Sequence, residues 1–213
     1  MRVLVFGDSI TQGFWDPEGG WVNAIRKYYD QQNISGGDKD APTIFNLGIS
    51  GDTSTDILAR FENETQNRKR SGKEIAIVFS VGVNDSYTKS GKNIMEIGQY
   101  LQNLSKLLEL ARRYATKVVF VGLTPCVDER TNPVAWDKDI AWSNSRIVSF
   151  NDVLRSFCIE KEVDFIDILK PMTKKQTQVE LLPDGVHPNH EGHQFMAEFI
   201  RPQLTKILEV TKQ

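Results

Sequence analysis

Five short apolar runs, separated by segments with helical spacing, constrain this chain more than any other feature. The clearest is EIAIVFSVG at residues 74–82, apolar almost throughout. Such a run suits a strand covered on both faces, whereas a half-exposed strand alternates. RVLVF at residues 2–6 reads the same way, and TIFNL at 43–47, KVVFVGL at 117–123 and a short stretch near 163–168 read as further strands. Between them, apolar residues recur at helical intervals. Trp21, Ala24, Ile25, Tyr28 and Tyr29 predict a helix over about 19–32, and Asp52 or Thr53 caps one carrying Ile57, Leu58 and Phe61. Ile94, Ile97, Leu101, Leu104, Leu108 and Ala111 mark one face of a long helix. Ile147, Val148, Leu154 and Phe157 mark the next, and Phe195, Met196, Phe199 and Ile200 the last, where Pro202 is expected to kink or interrupt the helix. Residues 33–41 read as a surface loop, and 124–142 as a long, charged connection holding Trp136 and Trp142.

Strands alternating with helices imply βαβ units: a parallel sheet with helices on both faces. Right-handed crossovers leave few topologies, of which the flavodoxin-like order 2-1-3-4-5 is expected. That order seats strand 1 between strands 2 and 3, so the loops after these strands meet at one rim.

With 213 residues, 39% of them hydrophobic, and no linker or repeat, residues 1–213 are expected to form one domain. The net charge of −2 comes from interspersed acids and bases, with no basic stripe for nucleic acid. Neither a signal-like segment nor a bilayer-length apolar run is visible, so no membrane insertion and a cytoplasmic location are expected. Cys126 and Cys158 match no metal or redox spacing and read as reduced thiols. The oligomeric state is left open.

The residues at the common rim carry the chemistry. Ser9 follows strand 1, Gly48 strand 2 and Asn84 strand 3; Asp184 and His187 lie beyond strand 5. A serine hydroxyl needs a base to become a nucleophile, and histidine titrates close enough to neutrality to serve. The histidine needs a carboxylate to fix its tautomer. Asp184 stands three residues before His187, and Pro188 keeps that histidine out of regular helix. The backbone N–H of Ser9 and of Gly48 and the Asn84 amide are candidate donors to an oxyanion. Asp8 and Asp85 read as holding their turns; Trp15, Trp21 and Trp142 read as core or rim packing.

Gly7-Asp8-Ser9, Gly48 within NLGISGDTS, Asn84 within GVND, and Asp184 with His187 within DGVHP resemble the four blocks of the SGNH hydrolases, or GDSL esterases and lipases. The blocks stand in family order across residues 7–187. The resemblance implies a three-layer α/β/α sandwich and a serine esterase working through an acyl-enzyme on small or short-chain esters. It implies Ser9 as nucleophile, His187 as base, Asp184 as its orienting acid, and Gly48 and Asn84 as oxyanion donors. No cofactor or metal is implied, and the partner is a small-molecule ester. Trp136 is expected to wall the acyl pocket.

Two rival readings stay open. His187, His190 and His193 are all the histidines of the chain, clustered near Asp184 and Glu191, and a metal-dependent hydrolase would use such ligands. A flavodoxin-like binding module could hold a phosphate after strand 1, although that loop lacks a glycine-rich cradle and Asp8 would repel the anion.

Overall fold

The computed structural model describes residues 1–36 and 41–209. Of the loop read over 33–41, residues 37–40 lie outside the described residues. In chain order the main elements are β1 (Arg2–Gly7), α1 (Ser9–Gln12), α2 (Gly20–Ile34), β2 (Thr43–Gly48), α3 (Ser54–Arg68), β3 (Ile75–Ser80), α4 (Ile97–Tyr114), β4 (Lys117–Val121), α5 (Asp128–Thr131), α6 (Asn144–Glu160), β5 (Asp164–Ile166), α7 (Leu169–Gln176) and α8 (His190–Glu209). The five strands form one parallel sheet in the order β2-β1-β3-β4-β5, the expected arrangement. Helices α2 and α8 pack together on one face, while α3, α4 and α6 form the contacting row on the other.

The runs of β1, β3 and β4 are buried because both faces of these central strands are covered, whereas the edge strands β2 and β5 keep exposed positions. Val3 to Phe6, Ile75 to Phe79 and Val119 to Val121 are all at most 2% exposed. Phe6, Phe79 and Phe120 are register neighbours on adjacent strands, with ring centroids 5.9 and 5.0 Å apart. Phe61 of α3 and Phe157 of α6 close on this row at 5.0 and 5.9 Å, which fixes how that helical layer seats. Truncating any one of these rings to alanine would cost about 3–5 kcal/mol.

Several helix details differ from the sequence expectation. The buried stripe of α4 runs through Tyr100, Leu104, Leu107, Leu108 and Ala111, while Ile97 and Leu101 are exposed and Ile94 precedes the helix. The stripe is rotated because Tyr100 turns inward to donate its hydroxyl to the Val81 carbonyl at 3.0 Å. Val148 of α6 is likewise exposed. Pro202 does not interrupt α8, which continues to Glu209 with Ile200, Leu204 and Leu208 buried against the core. Of the two cap candidates before α3, Thr53 is the N-cap, in a reciprocal capping box with Asp56.

The connection 124–142 is not a structureless loop. It contains α5, and its strand Ile140–Ala141 joins Thr88–Lys89 and Lys92–Asn93 in a small antiparallel ribbon. Trp142 is buried and donates its indole N–H to the Val83 carbonyl at 2.8 Å. These contacts dock the connection beside the turn after β3, above the rim where the candidate residues lie.

Candidate active site

Just past β1 the chain turns directly into a short helix. Asp8 caps it, accepting from the Ile10 N–H at 2.9 Å, and Ser9 is its first residue. A first helical position has no intrahelical acceptor for its N–H, so that donor stays available. Gly48 is the register partner of Gly7, and the backbone of α1 lies directly on it. A Cβ at Gly48 would come within 2.2 Å of the Gln12 nitrogen. Only glycine lets α1 approach β2 so closely.

The structure brings Ser9, His187 and Asp184 together across the sheet rim. Ser9 Oγ lies 3.0 Å from His187 Nε2, and His187 Nδ1 lies 2.7 Å from Asp184 Oδ2. Because Nδ1 faces a carboxylate it carries the proton, which leaves Nε2 to accept from the serine hydroxyl. Asp184 Oδ1 accepts from the N–H of Val186 and of His187 at 2.9 and 2.8 Å, the tight turn that Gly185 permits with φ +94°. Burial works against the charge on Asp184. The His187 ring and these backbone donors outweigh it and hold the carboxyl down at about 2.

Asn84 sits in the turn after β3 and is 7% exposed. Its Nδ2 donates to the Asp52 carbonyl at 3.1 Å, which leaves one hydrogen of that amide uncommitted. The loop Gly48–Asp52 faces it. Gly48 N–H is already engaged, donating to Asn46 Oδ1 at 2.9 Å. Ile49 N–H goes to the Gly7 carbonyl, Ser50 N–H to Gln12 Oε1 and Asp52 N–H to the Ile49 carbonyl. Gly51, exposed and at φ +88°, carries the one N–H of the loop without a hydrogen-bond partner among the described residues. Arg60 pins the loop from below, donating to the Leu47 carbonyl at 2.7 Å, the Gly7 carbonyl at 3.2 Å and Asp52 Oδ2 at 2.7 Å.

The family model of GDSL-like lipases and acylhydrolases matches residues 5–195. The chain belongs to that family. It is similar to the isoamyl acetate-hydrolyzing esterase 1 homolog of Mus musculus, 26% identical over 220 residues that cover 96% of this chain and 82% of the relative. It is also similar to the arylesterase of Vibrio mimicus, 25% identical over 210 residues, with 97% and 90% covered. The crystal structure of a lipolytic G-D-S-L protein from Veillonella parvula shares the fold, with a TM-score of 0.74 at 22% identity over 97% of this chain and 99% of that one. As a member of the GDSL family, the chain is an esterase-class hydrolase.

In this GDSL hydrolase the three histidines do not converge. His187 serves Ser9 and Asp184, and His190 bonds Asp16 at 3.0 Å. His193, fully buried, spans the Trp21 N–H and the Phe14 carbonyl at 3.3 Å each. Among the described residues no group of three or more His, Cys, Asp or Glu is gathered closely enough to hold a metal. This arrangement does not favour the shared-ligand reading of the cluster: two of its members fasten α8 to the segment after α1.

Asp8 and Asp85 do hold turns, and both are buried. Burial pushes each carboxyl up to about 6, against the Ile10 and Thr11 N–H at Asp8 and against the Ser54 hydroxyl and N–H at Asp85. Trp21 and Trp142 pack in the core, but Trp15 is 63% exposed and its Nε1–H donates to Asp184 Oδ2 at 3.0 Å. Trp15, Arg60 and Gly51 were not singled out as site residues from sequence, because neither periodicity nor residue type distinguishes them. Trp136 is exposed, and its ring centroid lies 5.9 Å from that of His187. No helix among the described residues is long and apolar enough to cross a membrane.

Proposed function

We propose that this chain is a metal-independent serine esterase that works through an acyl-enzyme on small or short-chain acyl esters. The observation that carries the proposal is the continuous line Ser9 Oγ, His187 Nε2, His187 Nδ1, Asp184 Oδ2, with links of 3.0 and 2.7 Å. As Ser9 Oγ bonds to the ester carbonyl carbon, its proton passes to His187 Nε2 and the carbonyl oxygen takes the negative charge. The intermediate collapses, the bond to the alcohol oxygen breaks, and His187 returns the proton to that leaving group. Water then repeats the sequence on the acyl-Ser9 ester and releases the acid. Asp184 stabilises the imidazolium formed at each step.

The oxyanion is assigned to the Ser9 N–H, the free Asn84 amide hydrogen and the Gly51 N–H. Gly48 was the expected third donor, but its engagement with Asn46 favours Gly51, and the role left to Gly48 is to admit α1. The relatives' names, an isoamyl acetate-hydrolyzing esterase and an arylesterase, support a small ester as substrate. Trp136 beside His187 supports an apolar wall for its acyl or alcohol part. Cys126 and Cys158 are free and buried, which fits a reducing compartment such as the cytoplasm.

Hydrolysis of p-nitrophenyl acetate by wild type and Ser9→Ala, each with and without EDTA, tests this reading. Activity that survives EDTA and is lost in the variant is expected. Activity lost to EDTA but retained in Ser9→Ala would overturn the mechanism.

A further inference from the structure

Trp15 is anomalous in both backbone and side chain. Its φ of +64° lies in the left-handed region that bulky residues rarely adopt, and its large ring is mostly exposed. Sparsely populated backbone of this kind persists where the surroundings over-determine it. Those surroundings are dense. The Asp16 carboxylate accepts from the N–H of Glu18 and of Gly20 at 3.1 and 3.0 Å and pairs with His190 at 3.0 Å. His193 ties the Phe14 carbonyl and the Trp21 N–H to α8. The Phe14 ring lies between those of Trp15 and His187, at 4.6 and 5.0 Å.

This clamped segment aims the indole at one atom. Asp184 Oδ2 accepts from Trp15 Nε1–H at 3.0 Å and from His187 Nδ1–H at 2.7 Å. Three of the carboxylate's four donors come from its own turn, residues 184–187, and fix it only relative to that turn. Trp15 alone reaches it from the segment that carries Ser9.

We propose that Trp15 is a positioning residue for the hydrolysis, its indole N–H fixing the Asp184 carboxylate relative to Ser9 and sharing Oδ2 with His187. This rests on the reading of Ser9, His187 and Asp184 as the reacting groups. Two consequences separate it from simple packing. Without the indole donor the carboxylate is freer to turn, and the imidazole loses alignment in the transition state, so kcat falls. Oδ2 also directs its whole charge at the imidazolium, so the neutral imidazole needed as base appears at higher pH. Asp8, His190 and His193 face the same region and are unchanged by the substitution.

The test compares Trp15→Phe, which keeps an aromatic body without a donor, with Trp15→His, whose Nε2–H superposes on the indole N–H. Trp15→Gly, which adopts positive φ without strain, guards against misfolding. For Trp15→Phe and Trp15→Gly, kcat for p-nitrophenyl acetate should fall roughly tenfold, the loss of one hydrogen bond to a charged group. For Trp15→Phe, KM should stay within about twofold. The acid limb of kcat/KM should move up by roughly half a pH unit in both. Trp15→His should recover most of kcat above the pH at which its own ring titrates. A fixed acid limb, a changed KM with unchanged kcat, or a Trp15→His no better than Trp15→Phe would overturn the proposal. Asp184→Asn run alongside separates the two readings. If it keeps full activity, the assignment of the reacting groups fails; if it is inactive while Trp15→Phe behaves as wild type, only the role of Trp15 fails.

Discussion

Asn84→Ala tests the proposed oxyanion role of a single amide, of which one hydrogen is already committed. One is held by the Asp52 carbonyl at 3.1 Å, which leaves the other for the proposed oxyanion. In the ground state the substrate carbonyl gains little from the second hydrogen; in the tetrahedral intermediate the same oxygen is charged and gains much more. Removing such a donor costs about 10²–10³ in kcat, equivalent to about 2.7–4 kcal/mol of transition-state stabilisation, with KM nearly unchanged. The substitution also leaves the Asp52 carbonyl without its partner. That costs about 1 kcal/mol of stability, or a fall of about 2–4 °C in Tm for a chain of this size. The two effects are separable. Steady-state hydrolysis of p-nitrophenyl acetate at a temperature well below both transitions gives kcat and KM, and circular dichroism gives Tm. A kcat within threefold of wild type would place the oxyanion elsewhere and refute the assignment. A large Tm loss with full activity in the folded fraction would reduce Asn84 to a loop brace.

Trp136→Ala should change the ratio of kcat/KM between acetyl and hexanoyl p-nitrophenyl esters by about tenfold, since its exposed ring stands 5.9 Å from that of His187. An unchanged ratio would remove Trp136 from the pocket. The stability contributed by Asp8 and Asp85 should fall as pH rises from about 4 to about 7, opposed over part of that range by His193, whose value burial lowers. Asp8 and Asp85 have folded values raised to about 6 by burial, so the stability tied to their protons is complete below the unfolded value of 3.8 and is lost as pH rises through about 6. Each group contributes on the order of 3 kcal/mol to that fall. Asp184, held down at about 2, acts in the opposite sense and withdraws its contribution only as pH drops from about 4 towards 2. Urea midpoints at pH 4.5 and 7.5 measure the net slope, and Asp85→Asn should flatten it; a midpoint that rises over this interval, equally in both proteins, would contradict the burial argument.

The sheet was legible because burial on both faces leaves continuous apolar runs, and strand order followed from βαβ handedness. The meeting of Ser9, Asp184 and His187 was legible because the chain presents each at a strand end or just before the last helix. What the sequence did not carry was direction. Whether Ile97 or Tyr100 of α4 faces inward depends on the hydroxyl's reach to the Val81 carbonyl, which a hydrophobicity pattern does not record. Whether Gly48 or Gly51 offers its N–H depends on which one Asn46 has already taken. The histidines near the carboxyl end show the same gap. Their clustering within a few residues made a shared ion a rival reading, which their spacing and Pro188 already disfavoured; His190 and His193 turn away from His187 to hold Asp16 and Phe14, and so the segment between Gly13 and Gly20.

That segment makes the site more than a set of strand ends. Ser9 rides on α1, a helix of four residues, and His187 lies in the turn before α8. Their side chains, 3.0 Å apart, are tied by links from the residues that follow Ser9: to α8 through Asp16 to His190 and Phe14 and Trp21 to His193, and to the turn before it through Trp15 to Asp184. Loosening the Asp16–His190 or the Trp15–Asp184 link should affect turnover before it affects the core, because His190 and Trp15 are exposed, whereas His193 and Trp21 are buried.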